Sequence, residues 1–320
     1  MMRMENQFKS PIEKSKEMDL HMNSFCDLKL AVVGGDARQL VMARELASLG
    51  AEAAVFALEC CEKSIDIGEA TRSVTLDAAL TGADAVILPL PVSYDSEHLH
   101  TPCSNGRITL AELFDGIPRG TLLLGGRFDG AAAALAGERS LDFVDYCNRE
   151  EFAMAGATPT AEGAIELALR HLPITLHRAR CAVIGCGRIG FLLAEKLRAL
   201  GADVIVAARK PGDLVRIEAI SCRPHHTAEL AALPEVDVIF NTAPARLFDR
   251  AVLAAVAEKC SPLYIELASL PGGIDREAAA VSGIPVIDAQ GLPGKVAPVT
   301  AGKTTALCVI NILKERGVFA

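Results

Sequence analysis

Tryptophan is absent from the 320 residues, tyrosine occurs three times, and aromatics make up only 4% of the chain. The apolar mass is therefore aliphatic. Hydrophobic residues reach 51% and charged residues 22%, the balance of a soluble α/β enzyme with a large core. A basic tail or patch is also missing, and the formal net charge is -8. That balance argues against nucleic acid or an anionic membrane as a partner. No apolar stretch reaches membrane-spanning length. Residues 1–26 are polar and charged, without the apolar run of a signal peptide, and are expected to form a disordered extension. The ten cysteines lack the pattern of a disulfide framework, so a reducing, cytoplasmic location fits. Cys181 and Cys186 lie in apolar runs, where a thiol acts as a small hydrophobe. Cys60-Cys61 has no second pair at zinc spacing, and the adjacent His225-His226 cannot share one helical face. No metal site is expected.

The length suits two domains. Short hydrophobic runs at 28–33, 53–58, 84–88 and 121–124 alternate with helix-length stretches, the rhythm of a parallel sheet covered by helices. A second series follows at 181–184, 204–207, 236–240, 263–267 and 285–287. The expected division is an extension over 1–26, a substrate-side α/β domain over 27–150, a linker helix over 151–175, a dinucleotide-binding domain over 176–300, and a C-terminal helix over 301–320 packing back toward the first domain. Thr158-Pro159-Thr160 reads as the start of the linker helix and Pro173 as its end. The fold class is α/β, with two Rossmann-like parallel-sheet domains and a cleft between them.

The chemistry concentrates in Gly185-Cys186-Gly187-Arg188-Ile189-Gly190. Gly185 permits a tight turn out of a strand, Gly187 lets the backbone approach a pyrophosphate, and Gly190 lets the helix pack close to the sheet. Free N–H groups of the first helical turn, from Arg188 and Ile189 onward, then face the anion. An acidic residue at the tip of the following strand would hold the ribose hydroxyls of NAD. Ala207-Ala208-Arg209-Lys210 places cations there instead. A guanidinium grips a 2'-phosphate that a carboxylate would repel, so NADP(H) is the expected cofactor. Asn241, Thr242 and Pro244, and Ala268 in the loop 267–273, are expected to line its nicotinamide half.

On the substrate side, Arg38 and Gln39 follow the glycines of the first strand and are candidates to hold a carboxylate. Lys295, in a loop broken by glycine and proline, is a candidate to anchor a second carboxylate or to move a proton. Thr160 is either a catalytic candidate or an N-cap. The polar segment 94–107 reads as a mobile lid or a surface loop.

Gly34-Gly35-Asp36-Ala37-Arg38-Gln39, the 185–190 turn, Leu267-Ala268-Ser269-Leu270-Pro271-Gly272-Gly273 and Gly291-Leu292-Pro293-Gly294-Lys295-Val296-Ala297-Pro298 together resemble the A subunits of dipicolinate synthase. The second half is also similar to methylenetetrahydrofolate, shikimate and 2-hydroxyacid dehydrogenases. The resemblance implies a sporulation enzyme of the mother-cell cytoplasm, on a branch of the diaminopimelate pathway. It would use NADP(H) and a flavoprotein-like B subunit to form pyridine-2,6-dicarboxylate from a dihydro or 4-hydroxy-tetrahydro precursor. Arg38 and Lys295 would then meet the two carboxylates, and a homo-oligomer is expected. Two alternatives stay open: an NADP-dependent dehydrogenase of another small carboxylate, and a non-catalytic NADP-binding regulatory subunit.

Overall fold

The computed structural model describes residues 25–61, 65–269 and 271–319. They form two compact units. The first comprises the chain through Ala153 together with Pro298 onward, and the second runs Met154–Ala297.

In unit 1 the strands are β1 (Lys29–Val33), β2 (Glu52–Phe56), β3 (Thr71–Arg72), β4 (Ala85–Ile87), β5 (Leu122–Gly125) and β6 (Phe143–Asp145). They form one parallel sheet in the order β3-β2-β1-β4-β5-β6. Alternate residues bury opposite faces, as a strand period of two requires. Leu30 and Val32 pack on one face beneath α1 (Ala37–Ala47), while Ala31 and Val33 pack on the other. Three helices serve that second face: α2 (Leu76–Leu80), α3 (Leu110–Gly116) and α4 (Gly130–Glu138).

The helix α5 (Glu150–His171) begins in unit 1 and continues into unit 2. It starts one residue before the expected linker bound of 151 and eight before the Thr158-Pro159-Thr160 signal, which is therefore not its start. Pro159 sits inside the helix, and the Thr160 hydroxyl donates to the Gly156 carbonyl at 2.8 Å. Thr160 is thus a back-bonded interior residue and not a cap.

Unit 2 repeats the plan. Its strands are β7 (Arg180–Ile184), β8 (Asp203–Ala208), β9 (Arg223–His226), β10 (Val238–Asn241), β11 (Leu263–Glu266) and β12 (Val286–Asp288). They are ordered β12-β11-β10-β7-β8-β9 and are parallel throughout. Each unit therefore has the strand order of a doubly wound dinucleotide-binding fold, with its reversal beside the first strand. The helices are α6 (Arg188–Ala199), α7 (Pro211–Ala219), α8 (Arg250–Ala257), α9 (Arg276–Val281) and α10 (Leu292–Val296).

The last helix, α11 (Pro298–Glu315), returns to unit 1. Gly302 allows its close approach to α1, because a Cβ there would stand 2.6 Å from Val41 and 2.7 Å from the Arg38 carbonyl. Val309, Ile312 and Leu313 complete that core. Residues 1–24 of the expected extension lie outside the described residues. Phe25, also expected in that extension, is instead buried, with its ring centroid 4.2 Å from that of Phe319. All ten cysteines are free thiols. No helix among the described residues is long and apolar enough to cross a membrane.

Candidate dinucleotide site

The 185–190 turn leaves β7 at the point where the strand order reverses, the usual ligand position in such sheets. Gly185 has φ 101°, a left-handed conformation that glycine adopts without strain. It also faces Thr242, whose Oγ1 would lie 2.6 Å from a Cβ at that position. A Cβ on Gly190 would stand 2.1 Å from the Gly185 carbonyl oxygen. Gly187 differs from both: a Cβ there would meet nothing within 4 Å. Gly185 and Gly190 are therefore required by the protein's own packing, whereas the side of Gly187 opens onto space that a ligand can occupy.

Gly187 is also the N-cap of α6, which has no side-chain cap. Six other helices, α1 to α4, α8 and α9, are capped by Asp or Thr side chains. A phosphate at α6 would supply what a cap supplies elsewhere. At the end of β8, Arg209 and Lys210 are exposed and form no ion pair among the described residues. No acid stands at that strand tip. The neighbouring edge strand β9 carries His225 and His226 opposite Ala207 and Ala208.

Two loops expected to line the site are organised by a residue that sequence reasoning does not single out. Glu266 is fully buried at the end of β11. Its carboxylate accepts from Asn241 Nδ2 at 2.7 Å, the Ala268 N–H at 3.1 Å and the Gly273 N–H at 2.8 Å. Asn241 is also fully buried, and its Nδ2 donates in addition to the Ala243 carbonyl. The Asn241 amide thus holds two loops in register, the loops whose backbones are expected to line the nicotinamide half. Thr242 donates both its N–H and its hydroxyl to the Ile184 carbonyl, each at 2.9 Å, and so ties the β10 loop to the glycine turn. Ala268 is buried, whereas Pro244 is exposed. The only sequence signal for Glu266 is an acid closing the apolar run Leu263-Tyr264-Ile265.

Lys295 lies in α10 and is exposed. That helix packs against α5, where a Cβ on Gly163 would come within 3.0 Å of Val296. Thr160, inside α5, has its hydroxyl hydrogen engaged within the helix.

In unit 1 the corresponding turn is filled. Asp36 caps α1 in a capping box with Gln39, whose Oε1 accepts from the Asp36 N–H at 3.1 Å. A Cβ on Gly35 would lie 2.5 Å from that same Oε1. The segment 99–101 covers Gly34, and the Gly35 N–H donates to the His100 carbonyl at 2.9 Å. Arg38, expected to hold a ligand's carboxylate, binds Asp36 through Nε and Nη2, and Nη2 also donates to the Leu90 carbonyl at 3.0 Å. Burial pushes the Asp36 carboxyl up, but the Arg38 hydrogen bonds and charge outweigh it and hold the group below the usual range. The spacing Asp36-x-x-Gln39 is the signal that could have revealed this cap.

Comparison with known proteins agrees with the division into two units. The model of the N-terminal domain of the dipicolinate synthase A subunit matches residues 29–147. That of the NAD-binding domain of D-isomer specific 2-hydroxyacid dehydrogenases matches residues 157–259. The dipicolinate synthase A subunit of Bacillus subtilis (strain 168) is 33% identical over 290 residues, covering 90% of this chain and 96% of the relative. The crystal structure of the corresponding protein from Bacillus halodurans is 32% identical with a TM-score of 0.82, over 91% of this chain and 99% of the other. The structure from Bacillus subtilis gives 32% and 0.79, over 92% and 97%. With its N-terminal half matched by that family's own model and a relative 33% identical over 90% of its length, this chain belongs to the family of dipicolinate synthase A subunits.

Proposed function

We propose that the chain is an NADP(H)-dependent oxidoreductase that forms pyridine-2,6-dicarboxylate from a dihydro or 4-hydroxy-tetrahydro precursor during sporulation, together with a flavoprotein-like second subunit. The observation that carries this reading is the open, uncapped glycine turn of unit 2, with Arg209 and Lys210 at the next strand tip, in a chain of this family.

The residues present fit the cofactor. The amides of the α6 N-terminus would take the pyrophosphate, Gly187 would leave room for it, and Arg209 with Lys210 would hold the 2'-phosphate. When bound, NADP(H) supplies hydride transfer at its nicotinamide ring. The protein contributes orientation and exclusion of water. Glu266 and Asn241 tie Ala243, Ala268 and Gly273 together, so the surface those residues offer to the nicotinamide half is preformed.

The test is a 340 nm cofactor assay with enzymatically generated 4-hydroxy-tetrahydrodipicolinate, with product absorbance followed in parallel. It is run with and without the flavoprotein-like subunit. NADP-linked formation of the aromatic dicarboxylate is expected. Silence with both nicotinamide cofactors, in the presence of the second subunit, would remove the assignment.

A further inference from the structure

The segment 93–107 of unit 1 is firmly anchored at its base. Leu99 is buried, and its N–H donates to the Ile108 carbonyl at 2.9 Å. The His100 N–H donates to the Val92 carbonyl at 2.8 Å, while its own carbonyl receives the Gly35 N–H. This is a fixed wall beside the first glycine turn. It lines an open concavity of about 410 Å³, within the size range of small-molecule sites.

One side chain in that wall stands out by what it does not do. Of the described histidines, His98, His171, His225 and His226 each hold a ring nitrogen against a protein group, whereas the rings of His100 and His177 do not, and of those two only His100 lines the concavity. Neither ring nitrogen of His100 has a hydrogen-bond partner among the described residues. The ring is half-buried and meets Tyr94 edge-on, with centroids 4.7 Å apart. Arg107 lines the same concavity and forms no ion pair among the described residues. The acid of the wall, Asp95, is already satisfied by the His98 and Glu97 N–H groups, the His98 ring and Ser93.

We infer that this concavity of unit 1 receives the small dicarboxylate, with Arg107 holding a carboxylate and His100 moving a ring proton; the substrate class rests on the function proposed above. For a 4-hydroxy-tetrahydro substrate the step is a redox-neutral elimination. The C–H bond beside the imine carbon breaks and its proton passes to His100. The electron pair becomes a ring double bond as the C–O bond on the next carbon breaks. His100 returns the proton to the leaving oxygen, so one water is released and the imidazole ends neutral.

The groups facing His100 suit a base. Burial disfavours the imidazolium, Asp36 favours it and Arg38 opposes it. The net effect holds His100 below the ordinary histidine value. Tyr94 supplies a ring edge, and Asp95, His98 and Arg107 are the other charged or titratable groups that line the concavity; Glu97 and Cys103 belong to the same segment without lining it.

The experiment uses the full chain without cofactor. Pyridine-2,6-dicarboxylate is titrated by calorimetry in buffers of different ionisation enthalpy, beside NMR of the labelled histidine rings. Saturable binding with proton uptake and a raised His100 titration is expected. Arg107→Ala should weaken binding about tenfold. His100→Gln should abolish the proton uptake while leaving thermal unfolding and NADP(H) binding unchanged. In turnover with the second subunit, His100→Gln should lower kcat about 100-fold and remove the acid limb of kcat/KM. Absence of dicarboxylate binding, or binding that leaves the His100 titration unmoved, overturns the site whatever the turnover shows. A His100→Gln enzyme within twofold of the parent, with its acid limb intact, overturns the proton role and leaves the oxidoreductase reading standing. A parent chain that binds the dicarboxylate with His100 protonation yet never turns over supports this site and counts against the proposed reaction.

Discussion

Gly187 and Arg209 allow cofactor recognition to be separated from folding. A Cβ at Gly187 meets nothing in the protein, and its φ of -79° suits any residue. Gly187→Ala should therefore leave the melting temperature unchanged while weakening NADP(H) at least tenfold, as read by fluorescence titration. Gly190→Ala places a carbon 2.1 Å from a backbone oxygen and should cost about 1–3 kcal/mol of stability as well as binding. Equal behaviour of the two variants would contradict the assignment of open space beside Gly187. Arg209→Ala should raise the KM for NADP(H) much more than that for NAD(H), and a matched effect on both would end the role given to this guanidinium. The places of Gly187 and Arg209, at the helix start and the strand tip, were legible in the sequence because each is set by neighbours a few positions away. The pairing of Arg38 was only half legible: Asp36 is two residues away, but the other acceptor, the Leu90 carbonyl, is 52 residues distant. Glu266, and its pairing with Asn241, escaped because that partnership joins two loops 25 residues apart.

Among the elements, the start of α1 and the loops after β10 and β11 each depend on one carboxylate. Asp36 titrates lower in the folded chain than in the unfolded chain. Its contribution is thus complete above the unfolded value of 3.8 and is lost as pH falls through the lower folded value. The urea-midpoint difference between the parent and Asp36→Asn should stay level from neutral pH to about 4 and shrink below it. At neutral pH, Asp36→Ala should cost about 3 kcal/mol, because it leaves the Arg38 guanidinium buried without its counter-charge. Glu266→Gln replaces one acceptor oxygen by a donor and should destabilise by about 1–3 kcal/mol, with cofactor affinity falling in the same variant. Strands with continuous apolar runs were readable from the sequence within a residue or two. The edge strands β3, β6 and β9 were not, since Thr71-Arg72 and Arg223-Pro224-His225-His226 lack the hydrophobic pattern of strands buried on both faces. The Thr158-Pro159-Thr160 segment misled as a start signal because a proline normally opens a helix, whereas Pro159 lies inside α5.

At the scale of the whole molecule, unit 1 is discontinuous and is completed by α11. A chain ending at residue 297 should lose the folded state of unit 1, exposing it to limited proteolysis. Residues 154–297 expressed alone should remain folded and retain NADP(H). The two sheets share a strand order, yet the glycine turn of the first is stoppered by its own Asp36 cap and by the segment 99–101. Doubling the architecture should accordingly not double its nucleotide capacity. Equilibrium dialysis should saturate at a single equivalent of NADP(H) per polypeptide, leaving the stoppered twin free to specialise in something other than adenine nucleotides.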